Sequence, residues 1–262
     1  MIKAKKRFGQ NFLVDPGIRG HILAAGHLAE GDQVIEIGPG LGAISEPILK
    51  TGAHLTAIEI DRDLIAQLQE KFKDHEHFTL IEQDALKVDW GSILAARPQA
   101  KLIANLPYNI SSPLFFLLAR FRMGFASQTI MLQKEVAQRM SWEEGDSKKD
   151  YGALTVAAQL MYDIRKICFA PPTCFTPQPK VDSMVIQLKP KTLPLEDEVT
   201  FLNWLRHCFN QRRKLLSKAL KLYNQSGYEA LEADWKERVD RVRPEELSPS
   251  DFLELYQALG QG

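Results

Sequence analysis

The sequence predicts an α/β fold, a doubly wound and mostly parallel sheet, with a small all-helical domain at its C-terminal end. Three observations predict it. Short apolar runs alternate with helical patterns along most of the chain, as strands do when crossover helices join them. The first of those runs meets a glycine turn, Gly38-Pro39-Gly40-Leu41-Gly42, and a helical pattern follows. Beyond Lys189-Pro190-Lys191-Thr192-Leu193-Pro194 the apolar period is helical throughout, so the two prolines read as a linker. The expected domains are 1–190, with 1–15 as an N-terminal arm, and 191–262.

In order, the arm carries Lys3, Lys5, Lys6 and Arg7, then Phe8-Gly9-Gln10-Asn11-Phe12-Leu13-Val14-Asp15, without helical or strand period. Asp15-Pro16 starts a helix, Asp as N-cap and Pro at the first helical position, running to about residue 26. Residues 33–37 form the first strand and 43–50 its helix. Residues 54–59 form the second strand and 61–72 its helix. Residues 78–81 form the third, ending in Glu82-Gln83-Asp84-Ala85, and 101–104 the fourth, ending at Asn105-Leu106-Pro107-Tyr108. A helix over 111–119 leads to a fifth strand at 129–132. The charged stretch 143–150 reads as an exposed loop, 151–161 as an apolar helix, and 164–169 and 184–188 as late, antiparallel strands. Helical patterns at 196–209, 211–222, near Trp235 and at 249–259 complete the chain.

Charge excludes little in sum, because 33 basic residues balance 33 acidic ones. Its distribution says more. The arm is basic, and residues 201–225 hold Arg206, Arg212, Arg213, Lys214, Lys218 and Lys221 with no acid. Two basic segments on a neutral chain point to a localised anionic partner such as nucleic acid. Cys168, Cys174 and Cys208 are odd in number and lack C-x-x-C spacing. That argues against a disulfide framework or a zinc site and fits a reducing compartment. No apolar run reaches the roughly 18 residues of a membrane span, and no apolar stretch of a secretory signal follows the basic N-terminus. The expectation is a cytoplasmic protein, with no metal and no membrane partner.

The strand ends carry the chemistry. Open α/β sheets bind ligands beyond the carboxyl ends of their strands, and glycines after the first strand let backbone approach a ligand closely. Ala43 stands where a dinucleotide fingerprint would have its last glycine, and Glu36 precedes the glycines closely. A carboxylate there is unwelcome to a pyrophosphate and suits the positive amino-acid end of S-adenosylmethionine. Glu59 closes the second strand, where an acid takes ribose hydroxyls, and Asp84 follows the third, where it can accept from an adenine amino group. This set favours S-adenosylmethionine over NAD. At the fourth strand end, Asn105 offers an acceptor, Pro107 stiffens the turn, and Tyr108 offers a flat face. Together they suit a planar base with an exocyclic amine, although the same four residues also suit a plain strand-ending turn.

With those blocks in place the chain resembles the small-subunit ribosomal RNA adenine N6,N6-dimethyltransferases of the KsgA type over nearly its full length. The resemblance rests on Phe8-Gly9-Gln10-Asn11-Phe12-Leu13, Glu36-Ile37-Gly38-Pro39-Gly40-Leu41-Gly42 and Asn105-Leu106-Pro107-Tyr108-Asn109-Ile110-Ser111. Pro177-Gln178-Pro179-Lys180-Val181-Asp182-Ser183 and Phe209-Asn210-Gln211-Arg212-Arg213-Lys214 complete it. It implies a Rossmann-like S-adenosylmethionine methyltransferase sheet, with cofactor contacts from Asn11, Leu13, Gly38, Glu59, Asp84 and Asn105. It implies transfer to N6 of two adjacent adenosines in the 3′-terminal hairpin loop of 16S ribosomal RNA, within the small subunit or its precursor. Asn105 and Leu106 are then expected to hold the amine, Tyr108 to stack on the base after Pro107, and Phe175 to cover its other face. Arg212, Arg213, Lys214 and Lys218 are expected to grip RNA backbone, and a monomer suffices. Cys174 and Ala153 depart from the family's usual small residue and arginine. Alternatives at this point are a large-subunit RNA methyltransferase, a non-catalytic RNA-binding factor and a DNA adenine methyltransferase.

Overall fold

The inner strands of the sheet are buried on both faces, so near-continuous apolar runs replace the alternating pattern of half-exposed ones. In the first, Val34 and Ile35 are fully buried and Ile37 nearly so. The computed structural model of the chain describes Lys5 and residues 9–260; Lys3, Lys6, Arg7 and Phe8 of the expected arm lie outside the described residues.

The elements run β1 (Phe12–Leu13), α1 (Pro16–Gly26), β2 (Gln33–Ile37), α2 (Ser45–Leu49), β3 (His54–Glu59), α3 (Arg62–Lys71), β4 (Phe78–Glu82), α4 (Trp90–Ala95), β5 (Ala100–Asn105), α5 (Ser111–Ala119), β6 (Phe125–Gln133) and α6 (Lys134–Met140). There follow α7 (Ala153–Met161), β7 (Tyr162–Ala170), β8 (Phe175–Thr176), β9 (Ser183–Pro190), α8 (Glu198–Asn210), α9 (Leu216–Tyr223), α10 (Gln225–Ala230), α11 (Ala233–Val239) and α12 (Pro249–Ala258). The main sheet has seven strands in the order β4-β3-β2-β5-β6-β9-β7. β2 pairs in parallel with both β3 and β5, and β9 runs antiparallel to β6. Asp15 caps α1, its side chain accepting from the Ile18 N–H at 2.8 Å, with Pro16 at the first helical position.

Two compact units result. One holds the chain through Ala137 together with Asp163–Pro190; the other holds Gln138–Tyr162 with the chain from Lys191 onward. The units part at the proline linker, and 138–162 packs with the helices that follow it rather than with the sheet. The reason is α7, whose Val156, Ala157, Ala158 and Met161 are all fully buried and which packs on α8 and α12. Aromatic rings fill that unit's centre: Trp204 lies 5.0 Å from Tyr256 and 6.0 Å from Phe252, centroid to centroid.

Four further details differ from expectation. β5 extends through Asn105, so that residue ends a strand rather than opening a loop. The expected helix over 211–222 begins only at Leu216, and residues 211–214 form a turn. α4, α6 and α10 are short helices whose periods are too brief to read from sequence. Within the arm, β1 pairs antiparallel with β8, matching Leu13 to Phe175.

Tyr151 ties the two parts of the helical unit together. Its hydroxyl donates to the Leu247 carbonyl at 2.7 Å, and its ring is 2 % exposed. Tyr151→Phe leaves that buried carbonyl without its donor and should cost about 1–2 kcal/mol, read as a lower urea midpoint with the sheet's own signal unchanged.

Candidate active site

The strand order places the site. β2 is flanked by β3 on one side and β5 on the other, and connections leave their carboxyl ends in opposite directions, opening a crevice there. Gly38, Gly40 and Gly42 turn the chain away from β2 with φ of 66°, 60° and 76°, a region L side chains avoid. At Gly40 a further constraint applies, because a Cβ there would lie 3.0 Å from the Phe12 ring. The turn and the arm therefore close on each other, and a cavity of about 520 Å³ remains between arm, glycine turn and strand ends.

Two buried carboxylates face it. Glu36 is 1 % exposed. Burial pushes its carboxyl up to about 7, the Ser45 hydroxyl opposing this by donating to Oε2 at 2.5 Å and the nearby Glu59 charge adding to it. Glu59, 6 % exposed, is also raised by burial, against backbone hydrogen bonds that favour its charge. Its Oε1 accepts from the N–H groups of Ile60 and Asp61, both at 2.9 Å. Among the described residues no lysine or arginine pairs with Glu36 or Glu59. Asp84 Oδ1 accepts from the Leu86 N–H at 3.0 Å, which fixes the carboxylate at the end of β4.

Asn105 is oriented by the arm. Its Nδ2 donates to the Asn11 carbonyl at 3.1 Å. That partner can only accept, so the amide nitrogen points to the arm and Oδ1 is left without a donor among the described residues. The carbonyls beyond it divide in the same way. Pro107 O accepts from both Ile110 N–H and Ser111 Oγ, each at 3.1 Å. Leu106 donates its N–H to Met131 O at 3.1 Å, and its own carbonyl has no donor among the described residues. Tyr108 is pinned by a 2.6 Å hydrogen bond between its hydroxyl and Ser183 Oγ; burial raises its phenol, the Ser183 bond partly offsetting that.

The arm is held at both ends. Lys5 Nζ lies 2.5 Å from Asp61 Oδ1 and 2.7 Å from Asp63 Oδ2, and Gln10 Nε2 donates to Asp61 Oδ2 at 2.8 Å. Burial works against the Asp61 charge, but the Lys5 and Gln10 hydrogen bonds hold its carboxyl below the usual range. At the other end Val14 N–H donates to Cys174 O at 2.9 Å, extending the β1–β8 pairing.

Residues 1–260 of the chain match the family described as ribosomal RNA adenine dimethylase. The chain belongs to that family. A ribosomal RNA small subunit methyltransferase A of Clostridium acetobutylicum is 41 % identical over 252 residues, covering 92 % of this chain and 90 % of the relative. That of Pseudomonas aeruginosa is 39 % identical over 263 residues, covering 99 % and 96 %. A crystal structure of a dimethyladenosine transferase from Plasmodium falciparum superposes with a TM-score of 0.77 at 29 % identity, over 95 % of this chain and 98 % of that one. The 23S rRNA methyltransferase ErmE shares the fold, with a TM-score of 0.64 at 23 % identity over 96 % and 100 %. The protein is thus an enzyme, an rRNA adenine dimethylase on a Rossmann-like sheet.

In this dimethylase the expected cofactor residues Asn11, Leu13, Gly38, Glu59, Asp84 and Asn105 all line the cavity, as do Leu106, Pro107 and Tyr108. Phe175 does not. It is 1 % exposed and belongs to the core cluster with Leu13, Met131 and Val185. Its strand pairing with Leu13 turns it inward, so it supports the arm from beneath and offers no open face to a base. Arg213, Lys214 and Lys218 are exposed. Arg212 is engaged within its own unit, donating to the carbonyls of Lys148 and Lys149 at 2.7 and 2.9 Å, with Glu245 Oε2 3.8 Å away.

Sequence reasoning missed Ser45, Asp61, Gln10 and Ser183 as supports of the site. Gln10 and Ser183 had a signal, their places in the Phe8–Leu13 and Pro177–Ser183 blocks. Among the described residues no His, Cys, Asp and Glu group is arranged to hold a metal ion.

Glu36 gives a signed prediction. A carboxyl that binds its proton more tightly folded than unfolded costs stability only when ionised, so the cost is absent below about 4.5 and complete above about 7. Glu36→Gln keeps an acceptor for Ser45 and removes that charge. The variant should be more stable than wild type by roughly 2–3 kcal/mol at pH 8 and equal to it at pH 4.5, checked by denaturant titration at both values.

Proposed function

We propose that the enzyme transfers methyl groups from S-adenosylmethionine to N6 of two adjacent adenosines in the 3′-terminal hairpin loop of 16S ribosomal RNA during small-subunit biogenesis. The observation that carries this reading is Asn105 Oδ1, without a donor among the described residues and fixed by the arm at the cavity wall. The cavity chemistry fits the cofactor. Glu36 and Glu59 are buried carboxylates with no paired cation among the described residues, and a positively charged ligand end would relieve that. Glu59 keeps an oxygen for ribose hydroxyls, Asp84 stands ready for an adenine amino group, and the glycine turn brings backbone close.

When bound, S-adenosylmethionine supplies an electrophilic methyl group. The protein's part is to prepare the amine. Adenine N6 is a poor nucleophile because its lone pair is delocalised into the ring. Accepting from its two N–H groups, through Asn105 Oδ1 and the Leu106 carbonyl, localises that lone pair and aims it. Pro107 is taken out of competition because its carbonyl is already satisfied, and Tyr108 presents a ring already fixed in place for stacking. Catalysis comes from positioning and preset dipoles. No strong base is needed, since the N6 proton becomes acidic once the new N–C bond forms and then passes to solvent. After the first transfer one N–H remains for one acceptor, so the second methylation proceeds with weaker orientation.

The small subunit is favoured over the large one by relatives named small subunit methyltransferase at 39–41 % identity over nearly the whole chain, against a likeness to ErmE in fold alone. Arg213, Lys214 and Lys218 are the exposed cations for RNA backbone, Arg212 bracing the turn that presents two of them. We infer a monomer acting in the cytoplasm; among the described residues no helix is long and apolar enough to cross a membrane.

The test is incubation of unmethylated small subunits with methyl-labelled cofactor, followed by mapping of the labelled nucleotides. Label on the two hairpin adenosines is expected, and label confined to large-subunit RNA overturns the reading. Asn105→Ala should lower turnover about 10²-fold while cofactor binding persists, as single-turnover kinetics and titration would show. Replacing Arg213, Lys214 and Lys218 by glutamine should weaken RNA binding and flatten its dependence on salt by about one counterion per lost contact.

A further inference from the structure

At the end of β7 Phe169 is 45 % exposed, and Val181, in the loop before β9, is 43 % exposed. Neither serves the core, which Phe175 and Val185 fill nearby. Lys134 stands over the Phe169 ring, its Nζ 5.0 Å from the centroid, and 3.6 Å from Asp182 Oδ2. The Lys134 N–H also donates to the Asp182 carbonyl at 2.9 Å. Asp182 adjoins Ser183, whose Oγ holds the Tyr108 hydroxyl at 2.6 Å. A short path of contacts, Tyr108 to Ser183, Asp182, Lys134 and Phe169, therefore joins the tetrapeptide to an open aromatic ring. Lys180 is exposed beside Val181.

We propose that Phe169, with Lys134 and Lys180, is a stacking platform for the nucleobase next to the adenosine being methylated, the two ammonium groups taking the adjoining phosphates. The proposal rests on the RNA reading above. An exposed ring beside cations is the pairing that single-stranded RNA sites use, since every base has a π-face and every nucleotide a charge. Charge favours RNA over a protein surface here, with two lysines against one aspartate. Stacking of this kind tolerates any base, so the platform fixes how the strand is laid across the site rather than its sequence. With two adjacent adenosines, the occupant of the platform is the one not in the cavity.

The test is steady-state methylation of unmethylated small subunits by Phe169→Ala, Phe169→Leu and Phe169→Tyr. Phe169→Ala and Phe169→Leu should raise KM for subunits about tenfold with kcat and cofactor affinity retained, and Phe169→Tyr should match wild type. Leucine keeps the apolar bulk, so it reads stacking even if the alanine variant folds poorly. Wild-type KM in Phe169→Leu, with the parent enzyme active, overturns the platform alone. A parent enzyme that leaves the subunits unmethylated overturns the RNA reading and the platform with it. A benzophenone side chain in place of Phe169 should photo-cross-link to RNA; cross-linking to ribosomal protein alone overturns the proposal in favour of a protein contact.

Discussion

The hydrogen bond from Asn105 Nδ2 to the Asn11 carbonyl is the contact on which the site depends. Without it the amide is free to rotate and could present either end to a base. With it, donor and acceptor ends are sorted, and the sorting comes from the N-terminal arm rather than from the sheet that carries Asn105. The remaining arm contacts serve that one bond. Lys5 and Gln10 fasten the arm to Asp61, just past the end of β3, while Val14 and Leu13 fasten it to β8. Ligand walls and amide orientation thus share a single origin.

Glu36 and Glu59 show the opposite relation between fold and function. Among the described residues neither is paired with a cation, and burial raises both. A folded chain gains nothing from such groups. They are stored strain of an electrostatic kind, which persists because the surrounding strands, β2 and β3, are held by pairing on either side. That cost is relieved by protonation or by something positive that enters the cavity.

The alternation of strands and helices was readable because it is local: apolar runs, a glycine turn and Asp15-Pro16 each announce themselves within a few residues. The cavity residues at strand ends were readable for the same reason, since a parallel sheet gathers its carboxyl ends on one edge. What stayed hidden was long-range or too short for a period. The β1–β8 pairing spans two residues and shows no alternation. It is also what turns Phe175 inward, so the expected open ring became a buried one. α7 reads as one more helix of the sheet domain, and only packing of Val156 and Met161 assigns it elsewhere. Residues 211–214 carry helix-forming side chains, yet Leu216 N–H bonds to Val242 O at 2.9 Å, and the chain turns instead.

The arm's construction bears on timing. A wall made from one chain end, fastened by side-chain contacts and a two-residue ladder, can part without disturbing the seven-stranded sheet or the anchoring of Tyr108 to Ser183. Two methyl groups on one nitrogen require a spent cofactor to be exchanged for a fresh one between transfers. Parting the arm would also break the Asn105–Asn11 hydrogen bond, so opening it for exchange would release the amide orientation at the tetrapeptide.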